Sequence, residues 1–136
     1  MSTPCCGAQP APRVKDLEAL TTVYAALADP TRLRILSLLG DGEICVCHLH
    51  ASLDVPQPTA SRHLAYLRKS GLVEARRAGI WMHYRMAEIG NPVIASVVKA
   101  ALHALTHTTI REKDERRLHV ARKAPAYALR ATADKS

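Results

Sequence analysis

A chain of 136 residues, 48% hydrophobic and 23% charged, is long enough for one domain with a real core and too short for two ordinary ones. With no Phe and one Trp the core must be aliphatic, and no apolar run approaches the ~18 residues that span a bilayer, so the expected compartment is the cytoplasm, without membrane contact. The net charge of +7 favours an acidic polymer as partner only weakly, because residues 111–136 hold eight basic and four acidic side chains and so supply +4 of it.

Residues 1–14, with three prolines and little apolar content, read as a flexible arm. The folded domain is expected over 15–110. Leu17, Leu20, Val23, Tyr24 and Leu27 recur along one face of a helix from about Lys15 to Ala28. Asp29-Pro30 ends it and starts another, with Asp as N-cap and Pro at the first helical position, up to Gly40. After the Asp41-Gly42 turn, Glu43 to Leu53 reads as a third, shorter helix, and Gln57 to Ser70 as a fourth, closed by Gly71. Val73–Arg77 and Trp81–Met86 are strand-like runs around Ala78-Gly79, a β-hairpin with a basic tip. A last helix runs from about Asn91 to Thr106 or beyond, apolar on more sides than so small a domain can bury, which calls for a partner subunit. Residues 111–136 are charged, lack a strong periodic face and are expected to fray into partial disorder.

Helices followed by a reading helix and a hairpin, in that order, make a mainly α fold, a winged helix-turn-helix. Gln57, Thr59, Ser61, Arg62 and His63 crowd the start of the fourth helix, ahead of its apolar face. That end of such a helix enters the major groove, so Arg62 suits guanine, Gln57 adenine, and the two hydroxyls phosphate or either base. Arg76 and Arg77 precede the hairpin tip and fit a flanking minor groove or the backbone, although a basic hairpin is also commonly just solvated. Double-stranded DNA is therefore the expected partner. No set of acid, base and nucleophile appears away from this surface, so an enzyme is not expected.

The stretch ICVCHLH, Ile44 to His50, concentrates two of the four cysteines. Two cysteines at i, i+2 on a helix point about 200° apart, so they cannot both be core. The spacing is one residue short of a haem-attachment motif and lacks the distant second pair of a zinc finger. One soft ion needs both sulfurs at ~2.3 Å, which on a regular helix requires the first turn to unwind or bend. Leu49 reads as core, which puts His48 and His50 on the flanks of an exposed face, and His103 and His107, four apart on the last helix, read chiefly as exposed polar residues.

ALADPTRLRILSLL (26–39), ICVCHL (44–49), QPTASRHLAYLRKSGLV (57–73) and RRAGIWMHYR (76–85), in this order, resemble the ArsR/SmtB family of metal-sensing repressors over roughly residues 17–105. The resemblance implies a homodimer, joined through its first and last helices, that binds an operator with inverted half-sites and is released by metal. Cys45 and Cys47 match the arsenic and antimony type, whose third cysteine follows three residues later, where this chain has His50. They equally match half of the cadmium and lead type, in which cysteines of an N-terminal arm join the pair; Cys5 and Cys6 lie in such an arm. As(III) or Sb(III) is the expected inducer, with Cd(II), Pb(II) or Zn(II) as alternatives, and a thiol redox regulator as a different class.

Overall fold

The computed structural model describes residues 14–124, with side chains from residue 17 onward. The arm, with Cys5 and Cys6, lies outside the described residues.

Helix α1 spans Val14–Leu27 and α2 spans Pro30–Leu39. Asp29 caps α2 as its sequence indicates: its carboxylate accepts from the Arg32 amide at 3.0 Å, and Pro30 fills the first turn, where no amide partner is needed. α2 runs through the middle of the domain, so Ile35, Leu36, Leu38 and Leu39 are all buried rather than one stripe of them. Where a helix was expected from Glu43, Ile44–Cys45 instead form a short strand, β1, and helix α3 begins only at Val46 and ends at Leu53.

Asp54, in the left-handed region at φ 57°, closes α3, and the Val55 amide donates to the His50 carbonyl at 3.1 Å. Three residues later Gln57–Lys69 form α4, seated on the core by Ala60, Leu64 and Leu67. Truncating either fully buried leucine to alanine costs about 2–5 kcal/mol. Gly71, at φ 80°, turns the chain into β2 (Val73–Ala78), which pairs with β3 (Trp81–Met86) across a two-residue tip, Gly79-Ile80. β3 is central in an antiparallel sheet of order β1-β3-β2, with Ile44 opposite Tyr84 and Cys45 opposite His83.

Helix α5, Pro92–Leu105, is capped by Asn91 and buries only Ile94 and Val98 against the rest of the chain. Beyond it the structure departs from the expected fraying: Thr109–Ala121 form a further helix, α6, packed on α2 and α3. Its seats are largely polar. Asp114, 1% exposed, takes both Nε (3.0 Å) and Nη2 (2.8 Å) of Arg34, and Arg34 Nη2 also donates to the Leu53 carbonyl at 2.9 Å. Arg111 donates to the Ser37 carbonyl and hydroxyl, at 2.7 and 2.8 Å, and to Asp41. Leu118 and Ala121 complete the contact. No single described helix is long and apolar enough to cross a membrane.

Candidate functional site

Strand β1 ends and helix α3 begins between the two cysteines. Cys45 is the extended N-cap residue (φ −67°, ψ 143°) and Cys47 the second residue of the helix. The chain turns at Val46, and the turn brings the sulfurs together: Cys45 Sγ lies 2.7 Å from Cys47 Sγ, with both side chains buried. The 200° separation expected of two helical positions therefore does not apply, and both thiols belong to the interior after all. Burial first, then the contact with Cys45, pushes the Cys47 thiol up to about 12. At neutral pH this thiol holds its proton until something displaces it.

Both flanking histidines depart from the exposed face expected of them. His48 is half-buried, and His50 is 4% exposed. The His50 Nδ1 donates to the Val55 carbonyl at 3.3 Å, which leaves Nε2 a buried acceptor with no partner among the described residues. Burial lowers the pKa of each from the ordinary histidine value, with the Arg122 guanidinium adding to the effect at His48. Among the described residues no three His, Cys, Asp or Glu side chains converge to hold a metal ion. Among the described residues, Cys45 and Cys47 are therefore a pair of adjacent thiols and not part of a larger donor cluster. His103 at the end of α5 and His107 just beyond it stack edge to face, 5.2 Å apart and exposed, without a further donor group among the described residues.

The expected reading residues are brought together by α4. Arg62 is exposed and makes no hydrogen bond or ion pair among the described residues, while Gln57, Thr59 and Ser61 are partly covered at the same end. His63 turns back toward the core, its Nδ1 3.6 Å from the Asp29 carboxylate. On the wing Arg77 is exposed, and Arg76 is held by Glu43, Nε to Oε2 at 3.2 Å and Nη2 to Oε1 at 2.5 Å. That pairing draws the Glu43 carboxyl below its usual range. Glu43 was not anticipated from sequence. It stands two residues before Cys45, also faces His83 at 3.8 Å, and so ties the thiol segment to the wing. Nothing local marks it, because its partners lie 33 and 40 residues downstream.

The bacterial regulatory protein arsR family model matches residues 29–75. The arsenical resistance operon repressor of Escherichia coli K12 is 53% identical over 66 residues, 48% of this chain and 56% of that protein, so the match spans about half of that relative. An uncharacterised helix-turn-helix regulator of Methanocaldococcus jannaschii is 44% identical over 72 residues, 52% of this chain and 81% of that protein. Among solved structures, the homodimeric winged helix-turn-helix DNA-binding domain of a possible ArsR-family regulator from Mycobacterium bovis superposes with a TM-score of 0.59 at 32% identity, covering 74% of this chain and 91% of that one.

Proposed function

The chain belongs to the ArsR family of DNA-binding transcriptional regulators, not to an enzyme family, and we propose that it is a homodimeric, cytoplasmic repressor released from its operator when As(III) or Sb(III) binds Cys45 and Cys47. The observation that carries this reading is the buried sulfur pair at a strand–helix corner, one eight-residue helix ahead of the reading helix. Thiolates favour soft ions, and trigonal As(III) or Sb(III) needs three sulfurs. Cys5 or Cys6, from the same arm or the partner's, completes the set. The arsenical resistance repressor of Escherichia coli supports the choice of inducer.

The exposed apolar face of α1 and α5 supports the dimer: Leu17, Tyr24 and Val93 are each more than half exposed, and a groove lined by Tyr24, Leu27, Val97 and Ala101 runs between the two helices. DNA is met by Gln57, Thr59, Ser61 and Arg62 in the major groove, with His63 joining them only by swinging away from Asp29, and by Arg76 and Arg77 on the wing. Release follows two routes from the thiol corner. α3 pulls on α4 through the short Asp54-Val55-Pro56 connection and through direct packing of the two helices, and Glu43 carries a shift of β1 to Arg76. Two sulfurs bound to one ion at ~2.3 Å each stand further apart than 2.7 Å. Loading therefore spreads the corner instead of unwinding α3. Allosteric coupling of about 1–3 kcal/mol suffices for release.

Among the alternatives, a thiol redox switch fits less well, since Cys47 is buried and protonated, and oxidation follows thiolate character and exposure. Operator gel shifts titrated with As(III), Sb(III), Cd(II), Pb(II) and Zn(II) test the reading. Release of the wild type by As(III) or Sb(III), lost in the Cys5→Ser/Cys6→Ser variant, supports both inducer and ligand set. Release by Cd(II), Pb(II) or Zn(II) alone selects the divalent alternative, and release by peroxide without any metal selects the redox one.

A further inference from the structure

Cys47 has no exposed surface and Cys45 is 6% exposed, so binding of one ion by both sulfurs needs some covering element to move. The covers differ in how firmly they are fixed. β3, with His83 opposite Cys45, is paired on both edges, and α2 carries four fully or nearly fully buried aliphatic side chains. α6 is held otherwise. It buries only Leu118 and Ala121 among its apolar side chains, and its remaining seats are the Arg111, Asp114 and Arg122 contacts.

Those contacts bracket the thiol segment. Arg111 reaches Ser37 and Asp41 ahead of it, Arg122 donates to the Glu43 carbonyl at 3.3 Å, and the Asp114–Arg34 pair holds the Leu53 carbonyl behind it. At the near end, His48, the residue after Cys47, faces the Arg122 guanidinium and the backbone of Ala124.

We propose that α6 is the outer wall of the thiol site, and that its parting from α3 sets how fast a thiophilic ion or reagent reaches Cys45 and Cys47. With only two buried apolar side chains and the rest of its seats part-buried or exposed polar bonds, α6 can open locally at a lower free energy than the whole fold. Polar seating gives α6 that property while keeping the thiols dry when it is closed. The consequence for induction rests on the thiols being the inducer ligands. The gating itself does not, and is measured with no metal present.

The experiment uses the full chain with Cys5→Ser and Cys6→Ser, so that only Cys45 and Cys47 react, and follows alkylation by iodoacetamide with mass spectrometry. Asp114→Asn is expected to speed labelling about tenfold, the effect of ~1.4 kcal/mol on an opening equilibrium. Arg122→Ala, which gives up a single bond to a backbone carbonyl, is expected to speed it severalfold and guards against a folding defect in the first variant. Leu72→Ala is the control: it empties a buried site at the α4–β2 corner and lowers global stability without touching a seat of α6. Its labelling rate is expected to stay near that of the parent. Equal acceleration by Leu72→Ala and Asp114→Asn would mean that labelling needs global unfolding, and an unchanged rate in both α6 variants would mean that α6 does not cover the thiols; either result overturns the proposal. If arsenite proves not to be the inducer, these rates are unaffected.

Discussion

Replacing Arg34 with methionine asks whether α6 is truly seated on the domain. Arg34 makes two charge-assisted bonds to Asp114 and one to the Leu53 carbonyl, and the Asp114 side chain is 2% exposed. Without Arg34 that carboxylate stays buried, with only Arg117, at 3.7 Å, left to pair with it among the described residues. Breaking a buried pair from one side costs about 3–5 kcal/mol, and the lower end applies because Arg117 gives partial relief. Asp114→Asn leaves the guanidinium instead, 19% exposed and still bonded to Leu53, and should cost only about 1–2 kcal/mol. In a domain of this size 3 kcal/mol lowers Tm by roughly 12 °C or more. Thermal and urea unfolding followed by far-UV circular dichroism, at one fixed protomer concentration, measures the order. The double variant Arg34→Met/Asp114→Leu should recover most of the loss, since apolar side chains replace buried ion pairs at little cost. An Arg34→Met chain within about 0.5 kcal/mol of wild type would mean that α6 is not anchored at this pair.

Other expectations concern DNA, protons and thiols. Arg62→Ala should weaken specific operator binding by about 1–3 kcal/mol in fluorescence anisotropy, and Arg77→Ala should reduce the salt dependence by about 0.9 in slope; unchanged values remove the respective residue from the interface. His50 has a depressed folded-state pKa because it is buried, so on acidification the unfolded chain takes up the proton first. Stability is therefore lost as pH falls below about 6.5, at up to ~1.4 kcal/mol per pH unit, and His50→Leu should reduce that slope in urea titrations between pH 7 and 5; an undiminished slope assigns the effect elsewhere. Because the Cys47 thiol stays protonated at neutral pH, Cd(II) must displace its proton, and affinity should rise by up to about tenfold per pH unit from this thiol alone. With arsenous acid each thiol proton leaves as water with a hydroxide displaced from arsenic, so calorimetry in two buffers should count protons for Cd(II) and almost none for As(III).

Most of the architecture was legible because its signals are local. Asp29-Pro30 announces a helix start, Gly71 a stop, and the Leu64/Leu67 face its side of the core. What was missed depends on partners far away in sequence. β1 has two residues and no periodicity; it exists because Tyr84 and His83 of the wing pair with it, and this moves the helix start past Cys45 and reverses the geometry of the thiols. α6 escaped because a central position on its buried face is a carboxylate, whose guanidinium partner lies 80 residues earlier. His50 reads as polar in sequence and is interior in the fold, spending one nitrogen on the turn into α4. The candidate ligands and reading residues were all nameable from sequence; the 2.7 Å approach of the sulfurs and the bridge from Glu43 to Arg76 were not.

If Cys45 and Cys47 bind the inducer and thereby release DNA, neither thiol can be spared. Anisotropy of a labelled operator bound by the full chain, titrated with arsenite for wild type, Cys45→Ser and Cys47→Ser, decides this. The expected result is release of the wild type and retention of both variants, each binding DNA with wild-type affinity before arsenite is added. Release of either serine variant at the wild-type arsenite concentration would contradict the account.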